Sequence, residues 1–104
     1  MTLTGKMLIG QHSHSGNREA IRAINPATDT PLEPAYVGGN GEQVAQACAL
    51  AWAAFDAYRE TSLADRATFL ETIADNIEAL GDELIERAVA ETGLPRPRDR
   101  KSVV

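Results

Sequence analysis

Two histidines, His12 and His14, are the first residues in the chain whose type could bind a metal ion. Residues two apart on a strand point to the same face, so a strand here would place both rings on one side. A zinc site needs three or four ligands, and no cysteine, aspartate or third histidine lies near this pair in the sequence. We therefore interpret both histidines as part of a solvated loop and predict no metal site.

A glycine-rich turn, residues 38–41, stands immediately before a predicted helix, which is where dinucleotide phosphates bind in many folds. The dinucleotide fingerprint requires a third glycine three residues after the second, and Val44 occupies that position. Asn40 is instead a favourable helix cap, and Gln43 three residues later completes a capping box. The pattern predicts a capped helix start and no cofactor-binding residues.

Cys48 and Glu91 are the side chains that could serve as a nucleophile and a general base. Cys48 lies two turns inside a predicted helix, without a neighbouring histidine or lysine in the sequence to stabilise a thiolate. We interpret it as a small buried hydrophobic residue. Glu91 stands near a helix end without a predicted partner, and we interpret it as a solvated carboxylate. We predict no catalytic residue in this chain.

Composition and charge exclude several classes of function. The 104 residues allow one domain at most, and 43% hydrophobic with 24% charged residues is ordinary for a soluble protein. A net charge of −5 argues against nucleic-acid binding and against an anionic membrane surface. A single cysteine fits a reducing compartment, and no apolar run is long enough for a signal peptide or a membrane span. We predict a cytoplasmic protein.

The first 40 residues have the composition of short strands and turns. Strands are predicted at about 6–10, 19–24 and 32–37, with a loop or hairpin turn over 11–17. The second and third strands would form a β-hairpin with a five-residue turn after Pro26. Pro34 indicates an edge position or a bulge in the last strand.

The rest of the chain to residue 93 has the apolar spacing of amphipathic helices. Three helices are predicted, at about 41–58, 63–80 and 82–92. The apolar stripe of the first helix consists of Val44, Ala47, Cys48, Ala51, Trp52, Phe55 and Tyr58. Ser62 should cap the second helix, Gly81 should end it in a left-handed conformation, and Asp82 should cap the third, which Thr92-Gly93 should end. The apolar stripe of the second helix is wide enough for a helix that is covered on two sides.

The segments taken in order resemble the N-terminal quarter of the aldehyde dehydrogenase superfamily over residues 3–98. The residues that carry the resemblance are Met7–Gly10, Ile24-Asn25-Pro26-Ala27-Thr28, Val44 with Ala47 and Ala53-Ala54-Phe55, Ser62-Leu63-Ala64-Asp65-Arg66 with the following stripe, and Glu91-Thr92-Gly93. The resemblance implies an α/β fold, in which residues 1–98 form the N-terminal part of the cofactor-binding domain. Residues 99–104 resemble the translation of a sequencing adapter, and we predict that they are a non-native tail on a truncated chain.

Three stretches are similar to the branch of that family that acts on α-ketoglutarate semialdehyde. They are Leu3–Ile9, Ala47–Tyr58 and Glu91–Pro95. Branches that act on fatty aldehydes share the sequence E-T-G-L-P, so the substrate stays open between these two classes. Leu94 stands where many family members have lysine.

The resemblance implies oxidation of a small-molecule aldehyde to a carboxylic acid with NAD or NADP, in a homo-oligomeric parent protein that is a dimer or tetramer. In the family a cysteine thiolate attacks the carbonyl and an oxyanion hole stabilises the intermediate. The nucleophile, the glutamate base, the oxyanion asparagine and the cofactor lysine would all follow residue 104, and neither Cys48 nor Glu91 matches their motifs. The carbonyls of Ala23 or Ile24 match a cation position of some members, but the other ligands are missing and we predict no site there. The chain alone should bind no cofactor and be inactive.

In the family this segment packs on the outside of the cofactor-binding domain, so its wide apolar stripes should be exposed when it stands alone. The alternative is a complete small helical module with a β-hairpin, which would act as a binding or interaction protein without enzymatic activity.

Overall fold

The computed structural model describes residues 2–96, in which short antiparallel strands precede helices, as predicted. The elements are β1 (Met7–Ile9), β2 (His12–His14), β3 (Ala20–Ile21), β4 (Ile24–Asn25), β5 (Thr30–Pro31), β6 (Tyr36–Val37), α1 (Gly41–Arg59) and α2 (Leu63–Thr92). They belong to two compact units. One contains residues 2–22 and 33–61, and the other contains residues 23–32 and 62–96. The predicted tail, residues 99–104, lies outside the described residues.

In the first unit, β1 and β2 form an antiparallel hairpin in which Met7 pairs with His14 and Ile9 with His12. The prediction of a loop or hairpin turn over residues 11–17 is therefore wrong for His12–His14, which form the strand β2. Gly10 has φ +62°, a conformation that glycine adopts without steric cost, and it reverses the chain within a short turn. The polar sequence of β2 concealed this strand, because it is specified by pairing with apolar β1 rather than by its own composition.

The strands predicted at 19–24 and 32–37 pair antiparallel through β3 and β6 only. A second ladder, β4 with β5, includes Thr30–Pro31, so the prediction of a five-residue turn after Pro26 is wrong for its last two residues. In the first unit β3 pairs with β6, and Arg22 and Glu33 beside this ladder form an ion pair. In the second unit β4 pairs with β5 around a turn. Asn25 organises that turn: its Oδ1 accepts a 2.9 Å hydrogen bond from the backbone N–H of Ala27, and its carbonyl accepts one from the N–H of Asp29.

Both predicted helix caps that begin α1 and α2 are present. The Asn40 side chain accepts a hydrogen bond from the Gln43 N–H at 2.9 Å, and the Gln43 side chain accepts one from the Asn40 N–H at 3.1 Å. Ser62 Oγ accepts the N–H of Asp65 at 3.1 Å. Each bond satisfies a donor that a helix start would otherwise leave unpaired, so the chain enters both helices at defined residues.

The prediction of three helices is wrong, because the structure has two. The second and third predicted helices are one element, α2, and Asp82 lies inside it. Gly81 has φ 55° and ψ −132°, which kinks the helix instead of ending it. Only glycine enters this region readily, so the sequence signal at Gly81 correctly indicated an unusual backbone but not its consequence.

The end of α2 packs on the turn after β4. Gly93 has φ 70°, and its N–H donates to the Val89 carbonyl at 2.9 Å, which closes the helix as predicted. A Cβ atom on Gly93 would lie 2.9 Å from Cγ of Pro26, so the two residues touch. Ile85, one of the two buried hydrophobic residues of the described chain, lies in this half of α2 and is 7% exposed; the other is Ile9, in β1.

Candidate functional site

The start of α1 is closed by its own capping box and does not fit a dinucleotide phosphate. Asn40 and Gln43 engage each other's backbone N–H groups, and the Gln43 amide also donates to the Ser15 carbonyl at 3.0 Å. A Cβ on Gly39 would lie 3.0 Å from the Met7 sulfur, so Gly39 serves close packing. The glycine-rich turn therefore has a structural reason in the capping box and the close packing of Gly39 on Met7.

The two histidines lie on β2 rather than in a loop. Their ring centroids are 6.4 Å apart and the ring planes meet at 81°. Both belong to the same strand face, as residues two apart must. Among residues 2–96, no group of three or more histidine, cysteine, aspartate or glutamate side chains is arranged to hold a metal ion.

Cys48 is exposed, and the prediction that it is buried is wrong. It lines a shallow apolar groove along α1 together with Ala51, Trp52 and Phe55, which we call the Trp52 face. These residues recur at i, i+3, i+4 and i+7, so they form one stripe. The sequence pattern correctly grouped Cys48 with these side chains. It is exposed because no other element of its unit covers the stripe.

The opposite side of α1 has a neighbour. Cδ1 of Leu50 lies beside the turn between β1 and β2, where a Cβ on Gly10 would come within 3.0 Å of it. Leu50 and Trp52 are two residues apart, which is about 200° around a helix. The helix thus contacts the first hairpin with one side, while Trp52 on the other side is 82% exposed.

Glu91 has a partner that the sequence analysis did not identify. Nε of Arg87, one helical turn earlier, donates to Glu91 Oε1 at 2.8 Å. Arg96 lies near two other carboxylates of the same unit, 2.8 Å from Asp82 Oδ1 and 3.5 Å from Glu86 Oε1. These pairs involve side chains of the second half of α2, and Glu91 takes part in one of them, with Arg87.

The contact between Pro26 and Gly93 joins the two motifs that carried most of the resemblance. Asn25-Pro26-Ala27-Thr28 forms the turn after β4, and Glu91-Thr92-Gly93 ends α2. The sequence showed both motifs, but nothing in their spacing indicated that they touch. A hydrogen-bonded turn and a left-handed glycine are the local signals that made each one recognisable.

The features of residues 2–96 that stand out are thus the Trp52 face and the junction between Pro26 and Gly93. No helix in this range is both long enough and apolar enough to cross a membrane.

Comparison with known proteins gives a consistent family assignment. The model of the aldehyde dehydrogenase family matches residues 12–104. An alpha-ketoglutaric semialdehyde dehydrogenase 2 of Azospirillum brasilense is 52% identical over 99 residues, which cover 94% of this chain and 19% of that protein. An alpha-ketoglutaric semialdehyde dehydrogenase of Acinetobacter baylyi is 37% identical over 94 residues, which cover 90% of this chain and 18% of that protein.

The chain therefore spans about a fifth of the length of these curated relatives. No solved structure matches it significantly. The family match covers most of the chain, and the expected resemblance is confirmed: the chain belongs to the aldehyde dehydrogenase family.

Proposed function

We propose that this chain is the N-terminal part of an oxidoreductase that oxidises α-ketoglutarate semialdehyde to the carboxylic acid with NAD or NADP. The observation that supports this most is the 52% identity to the Azospirillum brasilense enzyme over 94% of the chain. The Acinetobacter baylyi relative is named for the same activity and is 37% identical, which favours this substrate over fatty aldehydes.

Within that enzyme, this chain has a structural role and contributes no catalytic, cofactor-binding or metal-binding residue. Three features of the described residues support this. The α1 start is occupied by its capping box, Glu91 is paired with Arg87, and Cys48 lies in an apolar stripe. A reactive cysteine requires an electropositive neighbourhood, which that stripe does not supply. The chain alone should therefore be inactive.

We also propose the location, oligomeric state and partners of the whole enzyme. We propose a cytoplasmic homo-oligomer, a dimer or tetramer, that acts on a small-molecule aldehyde and binds neither nucleic acid nor membranes. The net charge of −5 and the single cysteine of this chain support that setting. Light scattering on the restored full-length enzyme would measure the oligomeric state, and a monomer would contradict this part.

The test is a restored full-length gene, or residues 1–98 of this chain joined to the remainder of the Azospirillum brasilense relative. Formation of NADH or NADPH is followed at saturating cofactor with α-ketoglutarate semialdehyde and with a long-chain fatty aldehyde. We expect kcat/KM to be at least about tenfold higher for the semialdehyde, since the two differ in a carboxylate that the site must bind.

The 104-residue chain, assayed alone under the same conditions, is the control and should reduce neither cofactor. Absence of activity with every aldehyde in the restored enzyme would remove the enzyme proposal and favour the interaction module. Preference for the fatty aldehyde would retain the reaction but overturn the substrate. Activity of the isolated chain would overturn its structural role.

A further inference from the structure

Asn40 and Gly41 form an asparagine–glycine peptide at the entry to α1. Asparagine is a thermolabile residue, because the backbone nitrogen of the following residue attacks its side-chain amide. Glycine has no Cβ, so in the following position it leaves that nitrogen accessible. Gly41 is exposed, and a Cβ built on it would meet nothing within 4 Å. The surroundings of this peptide therefore leave space for the attack.

The start of α1 restrains one reactant and not the other. Gly41 is the first residue of the helix, and the first four N–H groups of a helix have no carbonyl partner inside it. Asn40 is held by its cap: Oδ1 accepts the Gln43 N–H at 2.9 Å, and the backbone is extended, with φ −99° and ψ 176°. A near-planar five-membered ring does not close in this extended conformation, so the attack requires the cap to open first.

The three other asparagines of the sequence have less reactive neighbours. Each is followed by a residue that carries a side chain, in the pairs Asn17-Arg18, Asn25-Pro26 and Asn76-Ile77. Proline has no N–H for this reaction. Isoleucine is β-branched, and its pair lies inside α2, where the helical backbone is fixed. The comparison singles out Asn40.

We propose that Asn40 is the site at which this chain deamidates spontaneously, and that its capping box sets the rate. The Gly41 nitrogen attacks Cγ of Asn40, so that the N–Cγ bond forms and the bond from Cγ to Nδ2 breaks. The amide group leaves as ammonia with the proton of the Gly41 N–H. Water then opens the resulting succinimide at either of its two carbonyl carbons. The reaction consumes water, releases ammonia and needs neither an enzyme nor a cofactor, so the inference does not rest on the proposed aldehyde oxidation.

The two products should have opposite effects on the start of α1. An aspartate at position 40 keeps the capping oxygen and places a negative charge at a helix N-terminus, which is favourable. The β-aspartyl product carries the backbone through the side-chain carbon, which lengthens the chain and displaces the carboxylate from the capping position. The same turn is linked to the first hairpin, because the Gln43 amide donates to the Ser15 carbonyl at 3.0 Å. The β-aspartyl product should therefore weaken both the cap and this link.

The site is tested by incubating the 104-residue chain in mildly alkaline buffer and mapping its peptides by mass spectrometry. We expect the amide-to-acid mass change to accumulate first at Asn40, ahead of the other three asparagines. Gly41→Ala should slow it by about tenfold, because the added Cβ crowds the attacking nitrogen. That position is helical and has space for the methyl group, so the helix start is retained. Equal conversion at Asn17 and Asn40, or an unchanged rate in Gly41→Ala, would overturn the site.

The role of the cap is tested by Gln43→Ala, which removes the side chain that accepts the Asn40 N–H. We expect deamidation to be about fivefold faster, the factor by which loss of a typical cap shifts an opening equilibrium. Gln46→Ala is the matched control, because Gln46 is an exposed glutamine one turn further along α1. It should deamidate at the rate of the unsubstituted chain. Equal rates in the two variants would overturn control by the cap.

The products are separated by chromatography and told apart by electron-transfer fragmentation, with Asn40→Asp as the reference for the aspartyl form. Hydrogen exchange is then measured at the amides of Gln43 and Val44, which donate to the side chain and the carbonyl of Asn40. We expect protection to be kept in the aspartyl form and lost in the β-aspartyl form. Equal protection in both forms would contradict the predicted effect on α1.

Discussion

The two halves of α2, before and after Gly81, carry similar apolar patterns but differ in burial. In residues 63–80 the large apolar side chains are exposed, with Leu63 at 82% and Leu70 at 62%. In residues 82–92, Ile85 is 7% exposed and its neighbours are half-buried. The second half belongs to the end of the helix that packs on the β4 turn through Gly93 and Pro26.

This difference shows that an apolar stripe determines which side of a helix can be buried, while a neighbouring element determines whether it is. Both halves are helical because propensity, spacing and caps specify a helix locally. Burial requires a second surface, and within its unit only the second half has one. The same type of substitution should therefore have different effects on stability in the two halves of α2, because the halves differ in burial.

The largest difference is expected between Ile85→Ala and Leu70→Ala. Removing a buried branched side chain costs about 2–4 kcal/mol, whereas the same truncation at an exposed site costs within about 0.5 kcal/mol. The measurement is the opening free energy of the amides in residues 82–92, from hydrogen exchange of the 104-residue chain. If both substitutions lowered this opening free energy equally, the two halves of α2 would not differ in how much burial stabilises them.

Gly93→Ala tests the junction itself. The left-handed conformation costs a non-glycine residue about 1–3 kcal/mol, and the new methyl group would also meet Pro26. We expect faster exchange in residues 82–92 and no change in α1. Gly41→Ala is the control, because an added Cβ there meets nothing within 4 Å and the position is helical. Protection of residues 82–92 that survives Gly93→Ala would contradict the packing role of the junction.

Ser62→Ala tests the start of the exposed half. Loss of the hydrogen bond to the Asp65 N–H should cost about 1 kcal/mol and fray the first turn of α2. Faster amide exchange should be confined to residues on the N-terminal side of Gly81. Ser62→Asp should restore the cap, because an aspartate side chain also accepts the hydrogen bond. Amide exchange resolved by residue would detect this. An effect that extends to residues 82–92 would mean that the two halves open together.

Gly81→Ala should have the smallest effect and the opposite sign. Alanine disfavours the φ 55° conformation and prefers the helix, and an added Cβ meets nothing within 4 Å. We expect a straighter α2 with about 0.5–1 kcal/mol more helix stability, read as a stronger 222 nm circular dichroism signal. A weaker signal would show that the kink is needed for the second half to pack.

Local features of the fold could be predicted from the sequence. The caps at Asn40 and Ser62 and the left-handed glycine at position 93 depend on neighbouring residues only, and all three are present. The strand at His12–His14 was missed because its pairing with β1 specifies it. The predicted number of helices was wrong because a glycine such as Gly81 can mark either the end of a helix or a kink inside one.

The residues that form the Trp52 face could be predicted from the sequence, but their exposure could not. The spacing placed Cys48 and Trp52 on one stripe, and the structure keeps them there. The sequence predicted burial for Cys48, because a stripe does not reveal whether its partner is present. The contact between Pro26 and Gly93 could not be predicted, since residues far apart in the sequence meet only through the fold.

The central claim is that this chain is an incomplete layer whose apolar faces need the rest of the protein. Differential scanning calorimetry of the purified 104-residue chain tests it most directly. We expect no cooperative transition of the whole chain, only local opening of packed parts such as residues 82–92, because few apolar side chains are buried in the described residues. A cooperative melt with an enthalpy of about 60–80 kcal/mol, as for a complete domain of this size, would contradict the claim.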